Sequence, residues 1–185
     1  MSPAGPRRGA AEKAARVRLF LTDVDGVLTD GGIVFDGNGV ETKRFHVRDG
    51  HGIKMMQRAG IRVGFLTGRS SEIVRIRARE LGVTLVRQGS TDKVASWKEL
   101  LAETGVSPEE SAYVGDDLVD LPLMRLVGFS ASVADAEESV RAAADFVSAR
   151  RGGDGAVREI VEFVLRSTGA WERVAAKYFG GAGSG

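Results

Sequence analysis

The 185-residue sequence predicts an α/β fold: a doubly wound, Rossmann-like parallel sheet with a β-hairpin inserted after the first strand. Three observations carry that expectation. From Leu19 onward, short β-prone apolar runs alternate with stretches of helical period, the pattern of a parallel sheet covered by helices. The first run, Leu19-Phe20-Leu21, leads directly into Asp23 and Asp25. Between that acidic pair and the next helix lie Ile33-Val34-Phe35 and Val40 to Val47, flanking an Asp36-Gly37-Asn38-Gly39 turn that favours a hairpin.

In chain order, residues 1–16 are rich in Ala, Gly, Arg and Pro without an apolar period and read as a flexible extension. A single domain is expected over 17–168, with the hairpin insert at about 31–48 and a C-terminal tail over 169–185, flexible from Gly180 to Gly185. After the hairpin, Asp49 can cap a helix whose inner face includes Ile53, Met56 and Ala59. Val63 to Leu66 reads as a strand, followed by a helix with Ile73, Ile76 and Leu81 inward. Val83 to Val86 is the next strand, then a helix carrying Val94, Trp97, Leu100 and Leu101, capped by Ser90, Thr91 or Asp92. Ala112 to Val114 is a strand before a helix with Leu118, Leu121 and Met124 inward. Phe129 to Ala131 and Phe146-Val147 are short terminal strands, and Val157, Ile160, Val161 and Val164 mark a strongly amphipathic last helix.

Composition bounds the function. With 43% hydrophobic and 28% charged residues the chain is an ordinary globular domain, and a net charge of +1 gives no strongly basic surface for nucleic acid. There is no cysteine, which removes disulfides, thiolate metal sites and cysteine nucleophiles together. No apolar run approaches the roughly 20 residues of a membrane span, and Leu19-Phe20-Leu21 is too short for a signal-peptide core, so a cytoplasmic location is expected.

The polar residues converge where an open α/β sheet binds ligands, beyond the carboxyl ends of its strands. Asp23 and Asp25, at i and i+2, point the same way, and two like charges in one small space call for a cation or a shared proton. An EF-hand loop is excluded by Val27 and Leu28, where that loop requires a polar ligand and a glycine. Thr67-Gly68-Arg69 follows the second strand, Lys93 begins the helix after the third, and Gly115-Asp116-Asp117 follows the fourth, with Asp120 one turn on. Singly, each has a structural explanation as a cap or a solvated charge; four carboxylates, a hydroxyl and an ammonium at one sheet edge do not.

The array fits phosphoryl transfer. Asp23 can attack phosphorus as a carboxylate nucleophile, while Asp25 protonates the leaving oxygen and then activates water. Oxygen-only ligands suit Mg²⁺, held by Asp23, the backbone carbonyl of Asp25, and Asp116; Thr67 and Lys93 can grip the remaining phosphate oxygens.

The ordered set Asp23-Val24-Asp25-Gly26-Val27, Thr67, Lys93 and Gly115-Asp116-Asp117 with Asp120 resembles the haloacid dehalogenase superfamily. Within it, Val47-Arg48-Asp49-Gly50, Leu66-Thr67-Gly68-Arg69, Ala134-Asp135-Ala136 and Gly155-Ala156-Val157-Arg158-Glu159 are most similar to the phosphatases of 3-deoxy-D-manno-octulosonate 8-phosphate. The resemblance implies Mg²⁺-dependent hydrolysis of this sugar-acid phosphate on the path to lipopolysaccharide, with Asp117 and Asp120 supporting the metal and Arg48, Gly68 and Arg69 binding substrate. It also implies a homotetramer, because no cap-sized insert follows either motif and relatives of this type form tetramers in which the hairpins build a barrel and a neighbouring subunit covers the site. Phosphatases of 9-phosphorylated nonulosonates share the core motifs, and a catalytically inactive binding protein of this fold is the alternative of another class. His46 stands where an asparagine is expected and Asp154 where many relatives have a basic residue. A response-regulator receiver is excluded by motif order, since there the acidic pair and phosphoacceptor precede the Thr and Lys.

Overall fold

Strand β2 (Leu19–Thr22) is buried along its whole length, which is why its sequence is apolar without alternation. The computed structural model describes residues 4–179 and places β2 in the interior of a seven-stranded sheet, two strands from one edge. Its parallel neighbours are β5 (Arg62–Leu66) and β7 (Ser111–Gly115), with β6 (Leu85–Arg87) outside β5. On the other side β8 (Phe129–Ser132) and β9 (Phe146–Val147) extend the sheet in parallel. Thr22 lies level with Phe65 on one side and Val114 on the other, so the chain leaves all three strands at one edge, just before Asp23, Thr67 and Asp116. Flanking helices are α2 (Val47–Arg58), α3 (Glu72–Leu81), α4 (Lys93–Thr104), α5 (Leu121–Met124), α6 (Glu138–Ala143) and α7 (Ala156–Ser167). The apolar stripe of α7 is buried as its spacing predicts, and the α/β class is as expected.

The expected flexible extension over 1–16 is corrected for residues 4–16; residues 1–3 lie outside the described residues. Strand β1 (Gly5–Pro6) pairs antiparallel with β9 at the sheet edge, and helix α1 (Ala10–Ala14) has Ala10 and Ala14 buried. Small residues leave no long apolar period, yet an alanine face packs closely enough to be fixed. Arg7 N–H on Asp145 O at 2.8 Å and Lys13 Nζ on Asp145 at 2.6 Å tie the segment down. At the other end, the tail expected from 169 begins with a further helix, Trp171–Ala175, whose Trp171 and Val174 are buried; Gly180 to Gly185 lies outside the described residues.

Other elements differ in phase or extent. Helix α3 buries Val74, Ala78 and Leu81 and leaves the expected Ile76 53% exposed. After β7, the turn over 118–120 leaves Leu118 exposed, while Met124 is buried as expected and Leu123 joins it in the interior. The hairpin forms as β3 (Val34–Phe35) and β4 (Glu41–Thr42), much shorter than its apolar runs, since α2 already starts at Val47. Asp49 does not cap its own helix: His46 does, accepting from Arg48 N–H at 3.2 Å. Buried Asp49 instead accepts from Arg158 N–H at 2.7 Å and Gly155 N–H at 3.3 Å, so it caps α7.

Candidate active site

Asp23 is fixed by the first backbone step beyond β2. Its N–H still donates to Val114 O at 2.9 Å, and its Oδ1 accepts from Val24 N–H at 2.6 Å. The chain then turns through Gly26 at φ 87, where a Cβ would stand 2.0 Å from the Asp116 carboxylate. Only glycine both adopts that backbone and lets the two acidic loops approach so closely. From the far side the 150–155 loop seats against the same turn, Gly153 N–H donating to Val27 O at 3.0 Å.

Lys93, expected at the start of α4, is its first residue, Asp92 being the cap. Its buried ammonium donates to Asp23 Oδ2 and to Asp120 Oδ1, each at 2.5 Å, and to the Tyr113 hydroxyl at 3.0 Å. Asp120 is fully occupied: it also accepts from Tyr113 O–H at 2.7 Å and from the backbone N–H groups of Asp116 and Asp117 at 2.9 and 3.1 Å. It therefore holds the loop that carries Asp116. Gly115 admits Asp120 to this position, since a Cβ there would meet Asp120 Cβ at 2.5 Å.

The electrostatics follow from this crowding. Burial raises the Asp23 carboxyl to about 6, against the pull of Lys93 and with the push of Asp120. Burial and then the Asp120 and Asp23 charges raise Asp116 to about 8. Burial alone would lower Lys93, but the two carboxylates outweigh it and hold the ammonium above its ordinary value. Tyr113, driven far up by burial and by Asp23 and Asp120, stays a hydroxyl donor. Oxygens of Asp23, Asp116 and Asp120 lie within 4.8 Å of one another, so the acidic charge exceeds what Lys93 offsets. The donor set is all oxygen and fits a hard divalent cation. Because Asp120 is engaged by four donors, Asp23 and Asp116 are the carboxylates left to bind one.

Thr67 is buried beside this group, its N–H on Arg87 O at 2.9 Å and its Oγ1 facing Arg69 N–H at 3.4 Å. Gly68 lies against the Ser90 carbonyl, where a Cβ would be at 3.7 Å. Arg69 donates to Glu41 at 3.0 Å and its Nε lies 3.8 Å from Asp25 Oδ2. Two expected residues stand apart. Exposed Asp117 caps its own turn, accepting from Leu118 N–H at 2.7 Å, and is not in the acidic cluster. Arg48 is exposed on a groove with His51, Arg150 and Arg158 and does not contact the Asp23 group.

Sequence reasoning missed the hairpin's contribution. Lys43 donates to Asp25 Oδ1 at 2.5 Å and lies 3.2 Å from Glu41, which accepts from Ser71 O–H at 2.6 Å. Glu41 and Lys43 are at i and i+2 of an extended segment, so one face of the hairpin is charged toward the site; that spacing was a readable signal.

An acidic pair beyond a central strand, a buried lysine between it and a second acidic loop, and a threonine at the neighbouring strand end define a phosphoryl-transfer hydrolase of the Rossmann-like class. The sequence profile of haloacid dehalogenase-like hydrolases matches residues 86–160, and over most of its length the chain is close to curated members, so it belongs to that family. The 3-deoxy-D-manno-octulosonate 8-phosphate phosphatase of Escherichia coli K12 is 45% identical over 157 residues, 85% of this chain and 84% of that one. The Moraxella catarrhalis enzyme of the same name, solved with magnesium, phosphate and KDO, superposes with a TM-score of 0.90 at 39% identity, covering 92% of this chain and 98% of that one. A cobalt-bound Haemophilus influenzae phosphatase of this specificity gives 0.85 at 43% identity over 90% and 98%.

Proposed function

We propose that the chain hydrolyses a sugar-acid phosphate monoester, 3-deoxy-D-manno-octulosonate 8-phosphate, to the free sugar acid and inorganic phosphate through an aspartyl-phosphate on Asp23. The observation that carries this reading is the Asp23–Lys93–Asp120 network beside Asp116, with Thr67 just beyond the same end of the neighbouring strand. Relatives similar over most of the chain carry that activity in their names.

Lys93 orients Asp23 and offsets its charge, so that a phosphate dianion is not repelled from its own nucleophile. The Asp23 carboxylate attacks phosphorus as Asp25 passes a proton to the departing sugar oxygen. Asp25 then takes a proton from the water that attacks the phosphoenzyme, which frees phosphate and restores both groups. Thr67 O–H and Lys93 hold the non-bridging oxygens through both steps. Asp23, the Asp25 backbone carbonyl and Asp116 would hold Mg²⁺, which when bound would neutralise charge on the phosphoryl group. Arg69, half-exposed beside Asp25, is the cation that meets the substrate carboxylate.

The same reading includes a homotetramer and a cytoplasmic role in lipopolysaccharide precursor synthesis. The assembly is supported by the hairpin, where Ile33, Val34, Phe35 and Val40 are exposed apolar side chains, with exposed Val47 following at the start of α2. The pathway rests on the substrate alone.

Phosphate release from a panel of keto-sugar acid phosphates, with Mg²⁺ and with EDTA, tests the proposal. Turnover of the octulosonate 8-phosphate in Mg²⁺ and its loss in EDTA are expected. Preference for a nonulosonate 9-phosphate would reassign the substrate, and no release from any member would overturn the activity.

A further inference from the structure

We infer that Lys43, on the hairpin, is the positioning residue for Asp25, holding one carboxylate oxygen so that the other faces the leaving group. The inference rests on the phosphatase reading above and concerns a side chain outside the nucleophile, phosphate and metal groups.

The two oxygens of Asp25 are unlike. Oδ1 accepts from Lys43 Nζ at 2.5 Å. Oδ2 is buried and, among the described residues, has no hydrogen-bond partner; Arg69 Nε approaches only to 3.8 Å. A buried carboxylate oxygen left unpaired costs free energy unless a ligand completes it. In a site built to protonate an alkoxide, that oxygen is the one that carries the proton. Lys43 supplies the restraint: its side chain is 1% exposed although it belongs to a surface hairpin, so its ammonium has been brought in from solvent to this position. Glu41 takes the other side of the ammonium at 3.2 Å and is itself held by Ser71 and Arg69. The chain of contacts Ser71–Glu41–Lys43–Asp25 fixes the hairpin to the strand end after Thr67 and fixes the Asp25 rotamer through the hairpin. The insert is therefore part of the proton-transfer apparatus as well as a surface for assembly.

In the step so served, the bond from Asp23 to phosphorus forms and the phosphorus–sugar oxygen bond breaks. The proton on Asp25 Oδ2 goes to that oxygen, leaving Asp25 a carboxylate. Misaiming Oδ2 slows this transfer only when the leaving oxygen needs a proton. A substrate with a stable leaving anion is the discriminating probe.

The experiment compares kcat/KM, which reports the first step, for the sugar-acid phosphate and for p-nitrophenyl phosphate. Wild type, Lys43→Met, Lys43→Gln and Lys43→Arg are measured in Mg²⁺, with melting temperatures in parallel. For Lys43→Met and Lys43→Gln the sugar-phosphate value is expected to fall by about 100-fold, the scale of general acid catalysis. The loss on p-nitrophenyl phosphate should be at least about ten-fold smaller, and Lys43→Arg should recover part of the sugar-phosphate rate. Equal losses on both substrates, or no loss on either, would overturn the positioning role. Should Lys43→Met fail to fold, Lys43→Gln keeps a polar group at the same place and reads out the same ratio. Wild-type turnover separates the two ideas: if it is absent the phosphatase reading fails, and if it is present without a substrate-dependent loss only the Lys43 inference fails.

Discussion

At the scale of single residues, the two aspartates of the first motif differ in their partners, and their variants should differ accordingly. Asp23 is bound to Lys93 and to Val24 N–H, whereas Asp25 is hydrogen-bonded by Lys43 of the hairpin, with Arg69 Nε 3.8 Å from its other oxygen. Asp23→Asn removes the nucleophile and should lower turnover by about 1,000-fold or more, with no phosphoenzyme detectable by acid quench. Asp25→Asn should slow the first step by about 100-fold and the second by more, so that phosphorylated Asp23 accumulates, visible as an 80 Da mass increase (the approximate mass of HPO₃). Wild-type-like turnover in Asp23→Asn would remove the nucleophile assignment. These two residues were legible in the sequence, because an apolar run ending in Asp-x-Asp fixes both position and side-chain direction. Lys43 was legible only as part of a charged hairpin face with Glu41; its turn inward to Asp25 was not, because a hairpin lysine looks solvated until the fold closes over it.

At the scale of elements, the parts that local pattern controls were readable and the parts that tertiary packing controls were not. The parallel sheet and the buried face of α7 follow from strand–helix alternation and from a clean apolar spacing. The face of α3 does not, because its isoleucines compete with Val74 and Ala78 for the interior and smaller side chains fit closer to the sheet. Asp49 carries a capping signal, but only the docking of α2 on α7 shows which helix it caps. The Gly26 turn is the element on which the site most depends. Gly26→Ala meets both a left-handed backbone and the Asp116 carboxylate at 2.0 Å, so the acidic loops must part. We expect it to lose about 1–3 kcal/mol of stability in urea unfolding and to need higher Mg²⁺ for half-maximal turnover. An unchanged Mg²⁺ requirement would show that the loop spacing is not what sets the metal site.

At the scale of the whole molecule, the acidic centre couples stability to pH and metal. Asp116 is raised from 3.8 to about 8 in the folded chain without metal, so the folded state keeps a proton that the unfolded chain releases at lower pH. That stabilisation is complete below the ordinary carboxylate value and is lost as pH rises through about 8; Asp23, raised to about 6, adds to the loss in the same direction. Metal binding needs the carboxylates ionised. The rise in melting temperature on adding Mg²⁺ should therefore be larger at pH 8.5 than at pH 6, by about 3 °C or more in scanning calorimetry. An equal or larger rise at pH 6 would contradict the proton linkage. Assembly is the other whole-molecule expectation: light scattering should give the mass of four chains, and a fully active monomer would show that the hairpin's exposed apolar face serves something other than closure of the site.

The strand at Gly5–Pro6 has a consequence for how this molecule behaves in a crowded solution. An uncovered sheet edge is a template on which another chain can add, and β9 would be such an edge. The chain's own beginning occupies it, in the antiparallel sense, and puts a proline there. Proline has no N–H to offer the next strand, so growth of the sheet stops. A protein trimmed to the span carrying the catalytic motifs, starting near Val17, would keep every reacting group and lose this stop. Its ladder of free peptide groups at β9 would then invite self-adhesion, and the first symptom would be turbidity rather than lost chemistry.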